Sequence, residues 1–196
     1  MFSGIIQELG TIIKIKKSPR GLEMLVAAPR TSRRVKMGSS VAVNGVCLTV
    51  AKKSAYALQF VLMQETLERT TFARVRMGNK VGLESSLRAG EEMGGHFVYG
   101  HVDGCAWIMK VENVPGALIM TISASHDLLK YMIMKGTVAV DGVSLTIMRL
   151  SRGAFMVSLL KQTLELTSLG AKRVGDEVNI EVDMINKFLM ERCALK

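Results

Sequence analysis

The chain holds little that would tie it together covalently or anchor it elsewhere. Only three of its 196 residues are cysteine, an odd number with no C-x-x-C pair. That argues against a disulfide framework or a zinc site, and leaves Cys47, Cys105 and Cys193 as free thiols of a reducing cytoplasm. Aromatic residues make up 5% of the chain, with a single tryptophan, Trp107. They matter because the formal net charge is +9, which raises the question of nucleic acid. The cations are scattered, as at Lys14, Lys16 and Lys17, Arg33 and Arg34, and Lys52 and Lys53, with few aromatics beside them, so they read as a solvated surface rather than a nucleic-acid footprint. No apolar run reaches about 18 residues, the length a membrane-crossing helix needs. Met1-Phe-Ser-Gly-Ile has no basic stretch leading into an apolar one, so no secretory signal is expected.

What is present is an ordinary globular composition, 48% hydrophobic and 22% charged, with fourteen methionines suited to filling irregular cores. It is also a sequence written twice. Ser40-Val-Ala-Val-Asn-Gly-Val-Cys-Leu-Thr-Val50 recurs 97 residues later as Thr137-Val-Ala-Val-Asp-Gly-Val-Ser-Leu-Thr-Ile147, with seven of eleven positions identical. Thr66-Leu-Glu68 and Thr163-Leu-Glu165 keep the same spacing, as do Gly78, Val81 and Glu84 with Gly175, Val178 and Glu181. Repetition at one offset marks a tandem duplication, hence two domains of roughly 90 residues, each large enough for its own core.

Within each half the apolar runs are short, rich in β-branched residues and separated by glycine-containing turns. The first half predicts an extended opening with Ile5, Ile12, Ile13 and Ile15, a turn at 18–21, and a strand at 22–28. A short helix within 29–37 follows, then a strand pair or bent strand at 41–50, a strand at 56–63, a helical turn at 66–71 and a strand at 81–87. The second half predicts strands at 97–111, 118–123, 154–160 and 178–182, with a helix at 126–134. Short strands at this spacing point to a small antiparallel barrel, which leaves no open sheet edge. The boundary falls in the glycine-rich stretch at 89–95. The tail from 183 breaks the pattern, with Met184, Ile185, Phe188 and Leu189 at helical spacing, a helix for packing or self-association.

Where the copies differ, chemistry becomes legible. Asn44 corresponds to Asp141 and Cys47 to Ser144; Phe2-Ser-Gly-Ile-Ile6 resembles Val98-Tyr-Gly-His-Val102, so Ile5 corresponds to His101. Singly, each has an ordinary explanation. Asp141-Gly142 makes a turn, Ser144 and Thr146 fill a strand, and His101 bonds a carbonyl. Together, and absent from the sister copy, His101, Asp141 and Ser144 point to acid–base work. A hydrolase triad is not indicated, because no G-x-S-x-G elbow is present. Nor is a flavin-reductase arrangement, which needs a G-x-G-x-x-G unit. His96 reads as structural, and Cys105, Trp107 and Cys193 as packing.

These motifs, with Glu65-Thr-Leu67, Gly94-Gly-His-Phe-Val98, Gly100-His-Val-Asp-Gly104, Lys135-Gly136 and Val178-Asn-Ile-Glu-Val-Asp183, resemble the riboflavin synthase α-chain family over essentially the whole chain. The resemblance implies an all-β fold: two six-stranded antiparallel Greek-key barrels, 1–96 and 97–183, each lumazine-binding, and a C-terminal oligomerisation helix, 184–196. It implies a transferase that dismutates two molecules of 6,7-dimethyl-8-ribityllumazine. One gives a four-carbon unit to the other, forming riboflavin and 5-amino-6-ribitylamino-pyrimidinedione, with no cofactor and no metal. It also implies a cytoplasmic homotrimer associating with lumazine synthase, without nucleic acid or membrane, and with a site between subunits. The runner-up is a non-catalytic lumazine- or flavin-binding protein.

Carried over by motif, the substrate contacts of the first barrel are Gly4, Ile5, Ile6, Cys47, Leu48 and Thr49, then Val61, Leu62, Met63, Gln64, Glu65 and Thr66. Those of the second are Gly100, His101, Val102, Lys135, Ser144, Leu145 and Thr146, then Ser158, Leu159, Leu160, Lys161, Gln162 and Thr163. His101 and Ser144 are expected to move protons, with Asp141 orienting them and Cys47 assisting from the facing barrel.

Overall fold

The computed structural model describes residues 1–19 and 21–193. Arg20 in the expected turn, the tail end at 194–196 and the Cys193 side chain lie outside that description. The first half builds β1 (Glu8–Ser18), β2 (Gly21–Ala27), α1 (Pro29–Arg34), β3 (Ser40–Val43), β4 (Val46–Lys53), β5 (Ala57–Leu62), α2 (Gln64–Arg69) and β6 (Lys80–Ser85). The second builds β7 (Gly104–Val114), β8 (Ala117–Ser123), α3 (His126–Leu129), β9 (Thr137–Val140), β10 (Val143–Ser151), β11 (Ala154–Leu160), α4 (Lys161–Leu166) and β12 (Glu177–Val182), and the tail forms α5 (Met184–Cys193).

Both halves close into six-stranded barrels of one topology. The circuits run β1-β2-β5-β4-β3-β6 and β7-β8-β11-β10-β9-β12, antiparallel throughout, with β2 and β8 skipping their successors in the Greek-key manner. Strict alternation sets the inward faces: Leu22, Met24 and Val26 of β2 are buried and their neighbours less so. The first core gathers around Met24, Leu58, Phe60 and Leu83, the second around Met120, Ile122, Phe155 and Ile180. Even the irregularities are inherited. Register shifts at Ile12/Lys14 and Val50/Lys52 recur at Ile108/Lys110 and Ile147/Arg149, bulges that let short strands curve.

The barrels meet across the duplicated turns. Asn44-Gly45 and Asp141-Gly142 have positive φ throughout, the backbone a two-residue hairpin needs. The turns stack so closely that a Cβ on Gly45 would lie 2.6 Å from the Gly142 nitrogen, and one on Gly142 equally close to the Gly45 nitrogen. Of the strand pair or bent strand expected at 41–50, the pair forms, as a hairpin, and its turn is the joint between domains.

Three expectations need correction. The opening segments are not strands: β1 starts at Glu8 and β7 at Gly104. Gly4 and Gly100, at φ +77° and +78°, turn each segment away from its own barrel. Phe2 and Val98 then exchange backbone hydrogen bonds of 2.7 and 3.1 Å where the segments cross. The helix expected at 126–134 ends at Leu129, because its apolar residues Tyr131 and Met132 join the barrel core instead of continuing a helical face. Trp107 is not packing: it is 46% exposed, with the Arg74 guanidinium 5.3 Å from the ring centre.

Candidate active site

Alternation along β4 and β10 decides where the chemistry sits. Val46, Leu48 and Val50 turn into the first barrel, and Val143, Leu145 and Ile147 into the second. Cys47 and Thr49, and likewise Ser144 and Thr146, therefore face outward. The sites are grooves on the barrel walls rather than lumens. Leu48, Leu145, Leu62 and Leu159, all core side chains, present only backbone to a ligand there.

Each groove is completed by a segment from the other half. The Gly4 carbonyl accepts the Ser144 N–H at 2.8 Å, and the Gly100 carbonyl accepts the Cys47 N–H at 2.9 Å. A side chain at either glycine is impossible, since a Cβ would come within 2.7 Å of Ser144 Cβ or 2.6 Å of Cys47 Cβ. Ile6 packs on the second core and Val102 on the first. The pairing expected from the sequence is thus exchanged. Gly4, Ile5 and Ile6 serve the second barrel, and Gly100, His101 and Val102 serve the first.

On the second barrel the result is a cleft of about 220 Å³, walled by Gly4, Ile5, Ile6, Val143, Ser144, Gln162, Thr163, Leu166 and Thr167. A 2.7 Å hydrogen bond joins the Ser144 hydroxyl to Nδ1 of buried His96. Burial holds this imidazole below its ordinary value of 6.5, against an upward pull from Asp183, so it favours the neutral form. A neutral imidazole on a hydroxyl at the edge of a cleft can relay a proton. His96, read from the sequence as structural, is the partner Ser144 has. The signal that could have found it was the Gly94-Gly95 pair. A Cβ on Gly95 would lie 2.1 Å from the Ser3 carbonyl oxygen and 2.9 Å from Ser144 Oγ, so Gly95 must stay bare where the chain brings the histidine in.

The first-barrel groove carries other groups. Cys47 is half-buried, and exposed His101 sits one residue beyond the glycine bonded to it, its ring 6.2 Å from that of Tyr99. By the repeat, Glu65 and Thr66 at the start of α2 correspond to Gln162 and Thr163 at the start of α4. A larger cleft of about 960 Å³ opens beside this run, taking in Val61, Met63 and Gln64 but neither Cys47 nor Gly100. Ser158, Leu160 and Lys161 occupy the matching end of β11 and start of α4.

Asp141 does not orient His101 and Ser144, and the three do not converge within one chain. Asp141 is fully buried in the turn–turn joint, where Oδ1 accepts the Asn179 N–H at 2.8 Å and Oδ2 lies 3.6 Å from Lys172 Nζ. Burial pushes its carboxyl up, with Lys172 pulling the other way. Its Oδ1 bond reproduces the one Asn44 accepts from Gly82, so it is a turn residue inherited as such. Lys135 is exposed at φ +66°, where the sister copy has Gly38. A lysine in that backbone costs about 1 kcal/mol that the glycine of the sister copy avoids. Its N–H donates to Ile147, next to Thr146 on the groove face.

Similarity to known proteins follows the same division. The lumazine binding domain family matches twice, at residues 3–86 and 99–183. A riboflavin synthase of Bacillus amyloliquefaciens is 42% identical over 96% of this chain and 88% of its own. One of Chlamydia trachomatis is 42% identical over 97% of this chain and 94% of its own. Among solved structures, LumP complexed with riboflavin aligns at a TM-score of 0.87 with 28% identity, covering 93% of this chain and 99% of LumP. LumP complexed with 6,7-dimethyl-8-(1'-D-ribityl) lumazine aligns at 0.84.

Proposed function

The chain belongs to the riboflavin synthase family, and we propose that its two grooves hold two molecules of 6,7-dimethyl-8-ribityllumazine in unequal roles. One lumazine loses a four-carbon unit to the other, giving riboflavin and 5-amino-6-ribitylamino-pyrimidinedione. The observation that carries this is a pair of matched barrel walls with unmatched chemistry, Ser144 bonded to His96 on one and Cys47 bonded to the segment that carries His101 on the other. Like grooves suit two copies of one molecule. Unlike polar groups suit a donor and an acceptor.

Holding two flat heterocycles in reacting geometry supplies several kcal/mol of the barrier. The rest is proton traffic at a ring methyl and stabilisation of the anion left behind. Ser144, backed by neutral His96, takes or returns that proton on the second barrel, and His101 with Cys47 does so on the first. Strand backbone at Leu48 and Leu145 bonds the pyrimidine edge, and Thr49, Thr66, Thr146 and Thr163 offer hydroxyls to the ribityl chains. Lys135 supplies positive charge.

The working unit is a homotrimer in which the first-barrel groove of one chain faces the second-barrel groove of the next. Support comes from α5, which exposes Ile185, Phe188, Leu189 and Met190 together. The free thiols Cys47 and Cys105 fit a reducing cytoplasm.

The likeness to LumP favours one second reading, a carrier that binds lumazine without converting it. Incubation with 6,7-dimethyl-8-ribityllumazine alone separates the two. The enzyme accumulates riboflavin and the pyrimidinedione in equal amounts, and lumazine recovered unchanged would refute it. Single-turnover rates should fall by about 10²-fold or more in Ser144→Ala and His101→Ala if these groups move protons.

A further inference from the structure

Two buried carboxylates take no part in the chemistry above, yet they fix the segments that complete the grooves. Glu84 on β6 is 1% exposed and Glu181 on β12 is 4% exposed, at matched positions of the repeat. Among the described residues, neither is paired with a cation. Glu84 accepts the Ser3 N–H at 2.7 Å, the Ser3 hydroxyl at 2.8 Å and the Gly4 N–H at 3.0 Å. Glu181 accepts the Tyr99 N–H at 2.6 Å and the Gly100 N–H at 2.8 Å.

The direction of these bonds is crossed. Glu84 belongs to the first barrel, but the backbone it grips runs on into Ile5 and Ile6, the wall of the second-barrel cleft. Glu181 belongs to the second barrel, but the backbone it grips bonds Cys47 and runs on through His101 into Val102, which packs on the first core. Register closes the path into a ring. Cys47 pairs with Ala42, which pairs with Glu84. Glu84 holds Gly4, which bonds Ser144. Ser144 pairs with Ala139, which pairs with Glu181. Glu181 holds Gly100, which bonds Cys47. Phe2 and Val98 pack with Ala42 and Ala139 of the ring into one buried apolar cluster.

We infer that Glu84 and Glu181 are positioning residues that act across the joint, each setting from its own barrel the ligand-facing segment of the other barrel's groove. Burial pushes both carboxyls up, and the backbone donors pull them back toward the ionised form. A buried acid without a cation is expensive, and an aligned pair of N–H donors is what makes it tolerable. The arrangement gives each segment two charge-assisted backbone bonds, and the first a third from the Ser3 hydroxyl, where the segments enter the ligand wall.

The inference rests on the two-groove reading and is tested separately from it, by amide exchange of the full-length protein with and without riboflavin as probe. In the wild type, riboflavin should slow exchange in both 1–7 and 98–104; protection of neither would sink the two-groove reading and this inference with it. Glu84→Gln keeps the shape but leaves one donor facing an amide nitrogen. It should raise exchange in 1–7 about tenfold or more, as loss of one hydrogen bond to a charge predicts, and abolish riboflavin protection there and at 143–147. Protection at 46–49 and 98–104 should survive. Glu181→Gln should give the mirror result. With lumazine as substrate, each variant should raise KM about tenfold while kcat falls less, and Glu84→Asp should recover part of it. Where Glu84→Gln does not fold, Ser3→Ala, which removes only the hydroxyl donor, carries the same comparison with a smaller expected change. A variant that loosens the groove of its own barrel, loosens both equally, or lowers the melting temperature at wild-type KM overturns the inference.

Discussion

At the scale of single residues, burial disfavours the charged form of an otherwise ordinary histidine. His96 is 9% exposed and hydrogen-bonded to Ser144, and its proton affinity is lowered by desolvation. An unfolded chain protonates this imidazole near its ordinary value of 6.5, whereas the folded chain resists until lower pH. At this site the unfolded state therefore binds more protons in that window, and the contribution of His96 to stability must fall as pH drops from about 6.5 toward the folded value. Urea midpoints measured from pH 7.5 to 5 should fall further, or rise less, in the wild type than in His96→Gln, because the buried carboxyls Glu84, Asp141 and Glu181 pull the other way in both. An unchanged slope would mean that His96 is solvated. The Gly94-Gly95 pair marks a tight site in the sequence, but the burial itself belongs to the packed state. The Asn44/Asp141 difference was visible, but its meaning was not: in place, both side chains accept a backbone N–H and hold a turn.

At the scale of elements, the two hairpin turns show how one dipeptide serves two purposes. Asn-Gly and Asp-Gly fix the φ > 0 backbone and so were legible as turns. That the turns also form the contact between barrels was not, because it needs both copies folded. Gly142→Ala should destabilise by about 2 kcal/mol or more, since its methyl would meet the Gly45 backbone and neither turn can retreat. Gly175→Ala, with nothing within 4 Å of its Cβ, should cost only the strain of its φ of +90°, about 1 kcal/mol. Denaturant midpoints of the two variants check the ordering. The strand pattern was readable wherever one face is buried. It failed at 1–7 and 97–103 because residues such as Ile5, Ile6, Phe97 and Val98 look β-like whichever barrel they lie on.

At the scale of the whole molecule, α5 is the clearest unsatisfied surface. Ile185, Phe188 and Leu189 are each more than half exposed, which is costly for a lone chain and ordinary for a subunit. Sedimentation should find a trimer, and Phe188→Glu should shift it toward monomer. If facing grooves on adjacent chains form the working site, activity per chain should fall together with the trimer fraction. Full activity in a monomer would confine catalysis to one chain.

The sequence alone determined the duplication, the barrel class and the unlike residues of the two copies, because these follow from spacing, alternation and substitution along a line. Folding decided the rest: which opening segment completes which groove, that His96 and not Asp141 partners Ser144, and that Glu84 and Glu181 reach across the joint. Two segments of similar sequence can dock on either of two similar barrels. Only the glycine turns at Gly4 and Gly100, the crossing at Phe2 and Val98 and the buried acids beneath them select between the options, through contacts 80 or more residues apart.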